Sequence, residues 1–202
     1  MSKELFNLMT YSIFSLIQIA FTLLVMGLEI HIILFCRKTL YSEDAVFPQK
    51  YPLVYLYFSM IAALVFNIPS LLTGVLQSKI AAVFGIIFNV FEAVLLFIVY
   101  IITQIFENGI SNISEKDDIS SMERDANCCG WKRLKISGCN ALHPENVKTS
   151  CYNLSAKPFL ESVEYAADMD SYVIKLVWLL VCVTIVFMIF HKNQQKENIK
   201  AE

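Results

Sequence analysis

Four long apolar runs dominate the chain, separated by polar connections of very unequal length. The first covers 11–36 and carries ionisable groups only at Glu29 and His31, near its far end. The second, 52–77, has no charge, and the third, 80–106, has one, Glu92. The fourth, 172–190, is the shortest; Lys175 sits one turn inside it, where its long stem can snorkel to an interface. A helix crosses a bilayer with about 20 apolar residues, so each run is long enough for a span or nearly so. The first run is too long for a cleaved signal peptide and has no small-residue cleavage site, so it reads as an uncleaved anchor. Between the runs lie a short loop at 37–51, a tight turn at 78–79 and a large loop at 107–171, with tails at 1–10 and 191–202. That order places both sizeable loops on one side of the membrane.

Composition removes the competing reading, a soluble bundle with buried core helices. Of 202 residues 56% are hydrophobic and only 17% charged, against roughly a quarter charged in soluble domains, so no polar shell could cover four such helices. The net charge of −2 gives no basis for nucleic-acid binding. The fold class expected is an all-α membrane protein, a four-transmembrane-helix bundle with a large, partly helical loop.

The polar residues within the runs are patterned. Ser15, Gln18, Thr22 and Glu29 recur at steps of three, four and seven, so they share one helix face. Ala63, Asn67, Ser70 and Gly74 do the same in the second run, and Gly85, Asn89 and Glu92 in the third. Such stripes pack against other helices, because small residues let backbones approach and polar groups bond across the contact. Glu92 is the acid nearest mid-membrane; a buried charged carboxyl costs about 3 kcal/mol or more, so it should face the bundle and bond Gln18 or Asn67. Pro69 should kink the second helix.

Four of the six cysteines, Cys128, Cys129, Cys139 and Cys151, fall in the large loop, an even number suited to disulfides in an oxidising compartment. Both N-x-[ST] sequons lie there too, at Asn112 and Asn153. Lys3, Lys79, Lys192, Lys196 and Lys200 on the opposite side outnumber Arg37, Lys38 and Lys50 in the short loop, a weak positive-inside bias. Cytoplasmic termini and outward loops satisfy all three features. Adjacent cysteines bond each other only through a strained ring, so Cys128 and Cys129 should each reach Cys139 or Cys151, and two connectivities stay open. Gly130 gives the backbone freedom to turn where both bridges begin. Gaps of zero, nine and eleven residues do not match zinc-ligand spacing.

Four spans, a short first loop, a tight inner turn and a large second loop bearing Cys128-Cys129-Gly130 together resemble the tetraspanin family, as a small, divergent member. Lys148-Thr149-Ser150-Cys151 partly echoes the family's P-x-S-C, with lysine in place of proline. Leu23-Leu24-Val25-Met26-Gly27 is similar to a glycine-bearing stretch of the family's first span. The second span ends Leu71-Leu72-Thr73-Gly74-Val75-Leu76-Gln77, without the cysteines the family usually carries there. The resemblance implies the pairs Cys128–Cys151 and Cys129–Cys139, and a loop of two helices capped by a stapled variable region. It also implies that Gln18, Asn67 and Glu92 border an intramembrane cavity able to admit a sterol-like lipid; no other cofactor is expected.

Within the loop, 107–125 should extend the third helix, 131–153 should be irregular, and Phe159, Leu160, Val163, Ala166, Ala167 and Met169 show helical spacing into the fourth span. Trp131 should pack beneath the disulfides. The chain lacks a Ser-His-Asp set, HExxH, a phosphate loop and C-x-x-C, so it is read as a non-enzyme. The function expected is organisation of other integral membrane proteins, with membrane lipids and a second copy of the chain as further partners, at the plasma membrane or an endomembrane. The alternatives are a transporter or channel subunit and a four-span thiol oxidoreductase, though adjacent cysteines suit the latter poorly. Claudin-like proteins carry their large cysteine loop first, the reverse of this layout.

Overall fold

In the computed structural model the described residues are 3–41, 50–76, 78–111 and 119–201, with side chains described for those from 12 to 190 other than Ser111. Four long helices form the body: α1 (Lys3–Leu40), α2 (Tyr51–Leu76), α3 (Lys79–Ser111) and, after a short α4 (Ser120–Ala126), α5 (Lys157–Ala201). They pack in a ring, α1 on α2, α2 on α3, α3 on α5 and α5 back on α1, while α2 and α5 barely touch across it. All four contain stretches long and apolar enough to cross a membrane.

The buried positions explain the packing. On α1 they are Ser15, Gln18, Thr22, Val25, Glu29, Ile32 and Cys36; on α2 the seam is Leu53, Leu56, Met60, Ala63, Asn67, Ser70 and Gly74, with Pro52, Ser59 and Thr73 buried beside it. On α3 they include Ala82, Gly85, Asn89, Glu92, Leu96, Val99 and Thr103, and on α5 Val163, Ala166, Asp170, Val173, Val177, Leu180, Thr184 and Phe187. Every step is three or four in alternation, a 3.5-residue repeat that winds helices around one another with a left-handed twist. The faces turned away from this seam carry Leu16, Leu23, Leu24 and Leu34 on α1 and Trp178, Leu179, Ile185 and Ile189 on α5. Polar groups inside and large apolar groups outside invert the pattern of a water-soluble bundle, and this is what a lipid solvent requires. The protein is a multi-pass membrane protein.

Close approach of α1 and α2 depends on Gly74. A Cβ there would stand 2.6 Å from Ile19 Cγ1 and 3.3 Å from the Ser15 carbonyl oxygen, and the Ser15 hydroxyl donates to the Gly74 carbonyl. The stripes of small and polar residues in α1, α2 and α3 all face this interior. Pro69 lies inside α2, and the Thr73 hydroxyl donates to the Pro69 carbonyl at 2.9 Å.

The helical spacing of Phe159 to Met169 does lead into the fourth span: one helix begins at Lys157, directly after a π-type turn at Tyr152–Ala156, and passes through the membrane segment without a break. At 1.5 Å per residue, 157–190 is about 50 Å long, well beyond the ~30 Å hydrocarbon core, so its first turns stand above the lipid. The exposed face records the level: Lys157, Glu161, Glu164 and Asp168 give way to Tyr172, Trp178 and Leu179. Lys175 lies 5.0 Å from the Tyr172 ring centroid, a cation–π contact at this boundary. In place of one long extension to residue 125, α3 is described as far as Ser111 and α4 is a separate helix of seven residues.

Candidate functional site

Two places concentrate chemistry: the polar layers of the bundle seam and the cap formed by 119–156. In the central layer the Asn67 amide Nδ2 donates to Glu29 Oε1 at 2.9 Å, to Glu92 Oε1 at 3.1 Å and to its own helix at Ala63 O, 3.2 Å away. One amide nitrogen therefore links carboxyl groups from α1 and α3, and the two carboxyls also lie within hydrogen-bond reach of each other. Three acceptors here, Glu29 Oε2, Glu92 Oε2 and Asn67 Oδ1, have no hydrogen-bond donor among the described residues. One turn away, the Ser70 hydroxyl donates to Asn89 Oδ1 at 2.9 Å.

Gln18 does not join this cluster. It belongs to a separate layer, where its amide donates to the Thr184 hydroxyl at 2.9 Å and so ties α1 to α5. The bond expected between Glu92 and either Gln18 or Asn67 forms with Asn67 alone. Gln18, Asn67 and Glu92 are each fully enclosed, so none of them borders open space in this conformation. Along-chain reasoning missed Glu29 as a member of the central cluster, because periodicity gives the face a residue occupies but not the height at which it meets another helix. A third buried acid, Asp170 on α5, lies near the enclosed Cys36 thiol; neither of its carboxylate oxygens has a hydrogen-bond partner among the described residues.

The cap is built on two disulfides, Cys128–Cys151 and Cys129–Cys139, the pairing the family resemblance implied. Cys128 and Cys151 share one continuous core with Trp131, Phe159 and bundle residues such as Ile32 and Leu56. Cys129 anchors a small satellite core with Ala141 and Val147. Trp131 is buried, meets the Tyr152 ring edge-on at 5.5 Å, and leaves its indole N–H without an acceptor among the described residues. Two backbone bonds lock the cap to the start of the last helix, Cys151 N–H to Gly130 O at 2.9 Å and Tyr152 N–H to Trp131 O at 3.1 Å.

Gly130 sits at φ 71°, a left-handed backbone that only glycine adopts freely, and a Cβ there would run into the Arg133 carbonyl. The chain can thus fold back over its own disulfides. Glu123, to which no periodicity or motif points, holds this fold-back: Oε1 accepts from Gly130 N–H at 2.9 Å, and Oε2 accepts from the Asn140 backbone at 3.0 Å and its side-chain amide at 3.1 Å. A carboxylate accepting several N–H bonds is a strong local organiser. Of the two sequon asparagines, Asn153 is exposed, and Asn112 lies outside the described residues. Cys36 and Cys182 are free thiols, the first enclosed and the second exposed on the outer face of α5.

Compared with family models, curated proteins and solved structures, the chain matches none of them.

Proposed function

We propose that this chain is a tetraspanin-like membrane organiser that binds other integral membrane proteins through its cap and gathers them laterally through its lipid-facing helices. The termini are cytoplasmic in this reading, and the cap faces the lumen or cell exterior. Disulfide bonding supports that side, because such bonds persist in oxidising compartments.

The observation that carries the reading is the apolar surface of the cap. Leu134, Ile136 and Leu142 are 45%, 51% and 71% exposed on a segment stapled at both ends and outside every candidate span. Three exposed apolar side chains within one short stapled loop favour a protein contact surface there. The test is a photo-crosslinking amino acid at Leu142, activated in native membranes. Discrete adducts with membrane proteins, lost when Leu134 and Ile136 are changed to Ser, are expected; crosslinks to lipid or solvent alone would sink the proposal.

A second reading, a transporter or channel subunit, draws on the Glu29–Asn67–Glu92 cluster, since intramembrane acids often mark ion paths. Ion flux through vesicles reconstituted with the pure chain, abolished by Glu92→Gln, would favour it over the organiser.

A further inference from the structure

The sequon Asn153-Leu154-Ser155 falls within the π-type turn at Tyr152–Ala156, which carries the chain from the cap into α5. At 1.5 Å per residue the head of α5 at Lys157 stands about 22 Å along the helix above Tyr172, so the turn lies clear of the headgroups. Asn153 is exposed there.

Ser155 is placed the other way. It is 5% exposed, and its hydroxyl has no hydrogen-bond partner among the described residues. Residues two apart on a helical turn point about 200° from each other, so the asparagine faces solvent while the serine shares the face of Cys151 and Phe159, both part of the core under the cap. A sequon is read through both side chains, the amide as acceptor and the hydroxyl two residues on. In the closed cap they cannot be gripped together. The turn is also fixed from behind: Cys151 is bonded to Cys128, and the Cys151 and Tyr152 N–H groups donate to the Gly130 and Trp131 carbonyls. The sequon is therefore an acceptor only while 151–156 is still open.

We propose that Asn153 carries an N-linked sugar attached before the Cys128–Cys151 bridge closes, so that sugar transfer and bridge closure compete for one segment. The substrate is a lipid-pyrophosphate-linked oligosaccharide, presented by a membrane-bound transferase. The Asn153 amide nitrogen bonds the anomeric carbon of the first sugar, the lipid pyrophosphate leaves with the electron pair of the broken C–O bond, and the amide gives up one proton. Once the turn coils, the sugar projects from its exposed face. The proposal rests on the outward-facing cap of the organiser reading.

The test is synthesis of the full chain in cells, with the Asn153 peptide followed by mass spectrometry before and after enzymatic deglycosylation. Sugar is expected on a fraction of wild-type molecules and on none after Ser155→Ala, which removes an unpartnered hydroxyl. Cys128→Ser with Cys151→Ser should raise the fraction towards full occupancy. Cys129→Ser with Cys139→Ser, which leaves the Cys151 anchor bonded, should not. Full occupancy of the wild-type chain, or a fraction unchanged by loss of the longer bridge, would overturn the competition. Lys135→Asn creates a second sequon with Ser137, on exposed cap residues. Sugar on that reporter but none on Asn153 in any variant would sink this proposal alone, whereas sugar at neither position would refute the outward cap and the organiser's orientation with it.

Discussion

The two bridges of the cap should be unequal in worth, and the difference can be worked from the chain they close. Cys129–Cys139 spans 10 residues and Cys128–Cys151 spans 23. Loop-closure entropy gives about 2.7 kcal/mol for the first and about 3.4 kcal/mol for the second at 25 °C. The inequality should exceed that small gap, because Cys128 and Cys151 lie in the core shared with the bundle, whereas Cys129 and its partner serve only the satellite core. Hydrogen exchange of the backbone N–H groups at 151 and 152 reads the outcome, since these bond Gly130 and Trp131 and report whether the cap stays seated. Cys129→Ser with Cys139→Ser should speed their exchange by up to roughly a hundredfold, and Cys128→Ser with Cys151→Ser by roughly three-hundredfold or more. Equal loosening by both pairs, or more from the inner pair, would refute the claim that the longer bridge fastens the cap to the bundle.

Three further outcomes follow from the same contacts. Asn67→Leu removes the donor shared by Glu29 and Glu92 at nearly constant volume, and should destabilise the bundle by about 1–3 kcal/mol in detergent unfolding, above the ~0.6 kcal/mol typical of an intramembrane hydrogen bond. Gly74→Ala forces Ile19 and the α1 backbone apart and should lose about 1–3 kcal/mol in the same assay, whereas Gly27→Ala, with open space around it, should be nearly silent. A lipid-soluble maleimide should label Cys182 in intact membranes and leave Cys36 unmodified until the bundle is unfolded, as mass spectrometry of the labelled peptides would show.

Much of the architecture was legible because a membrane simplifies the code. Run length located the spans, and the three-four spacing of Ser15, Gln18, Thr22 and Glu29 named the face that turns inward. What spacing cannot supply is the relative height of helices, which is set by packing along their whole length. Thr184 as the partner of Gln18, and Glu29 beside Glu92, were invisible for that reason. The extension of α5 above its membrane segment was legible in the helical spacing of Phe159 to Met169, and the steps of three and four back from Val177 through Val173, Asp170, Ala166 and Val163 continue the same seam. Glu123 carried no signal at all, because its worth lies in backbone donors that converge only after both disulfides close.

The unbroken course of α5 gives the molecule a mechanical property. Cys151 fastens the cap, through the single π-type turn at Tyr152–Ala156, to a helix that is unbroken to Phe190. A load applied to the cap is therefore not absorbed by a flexible neck. It passes down α5 as along a stiff lever, reaching Thr184 and, through Gln18, the far end of α1.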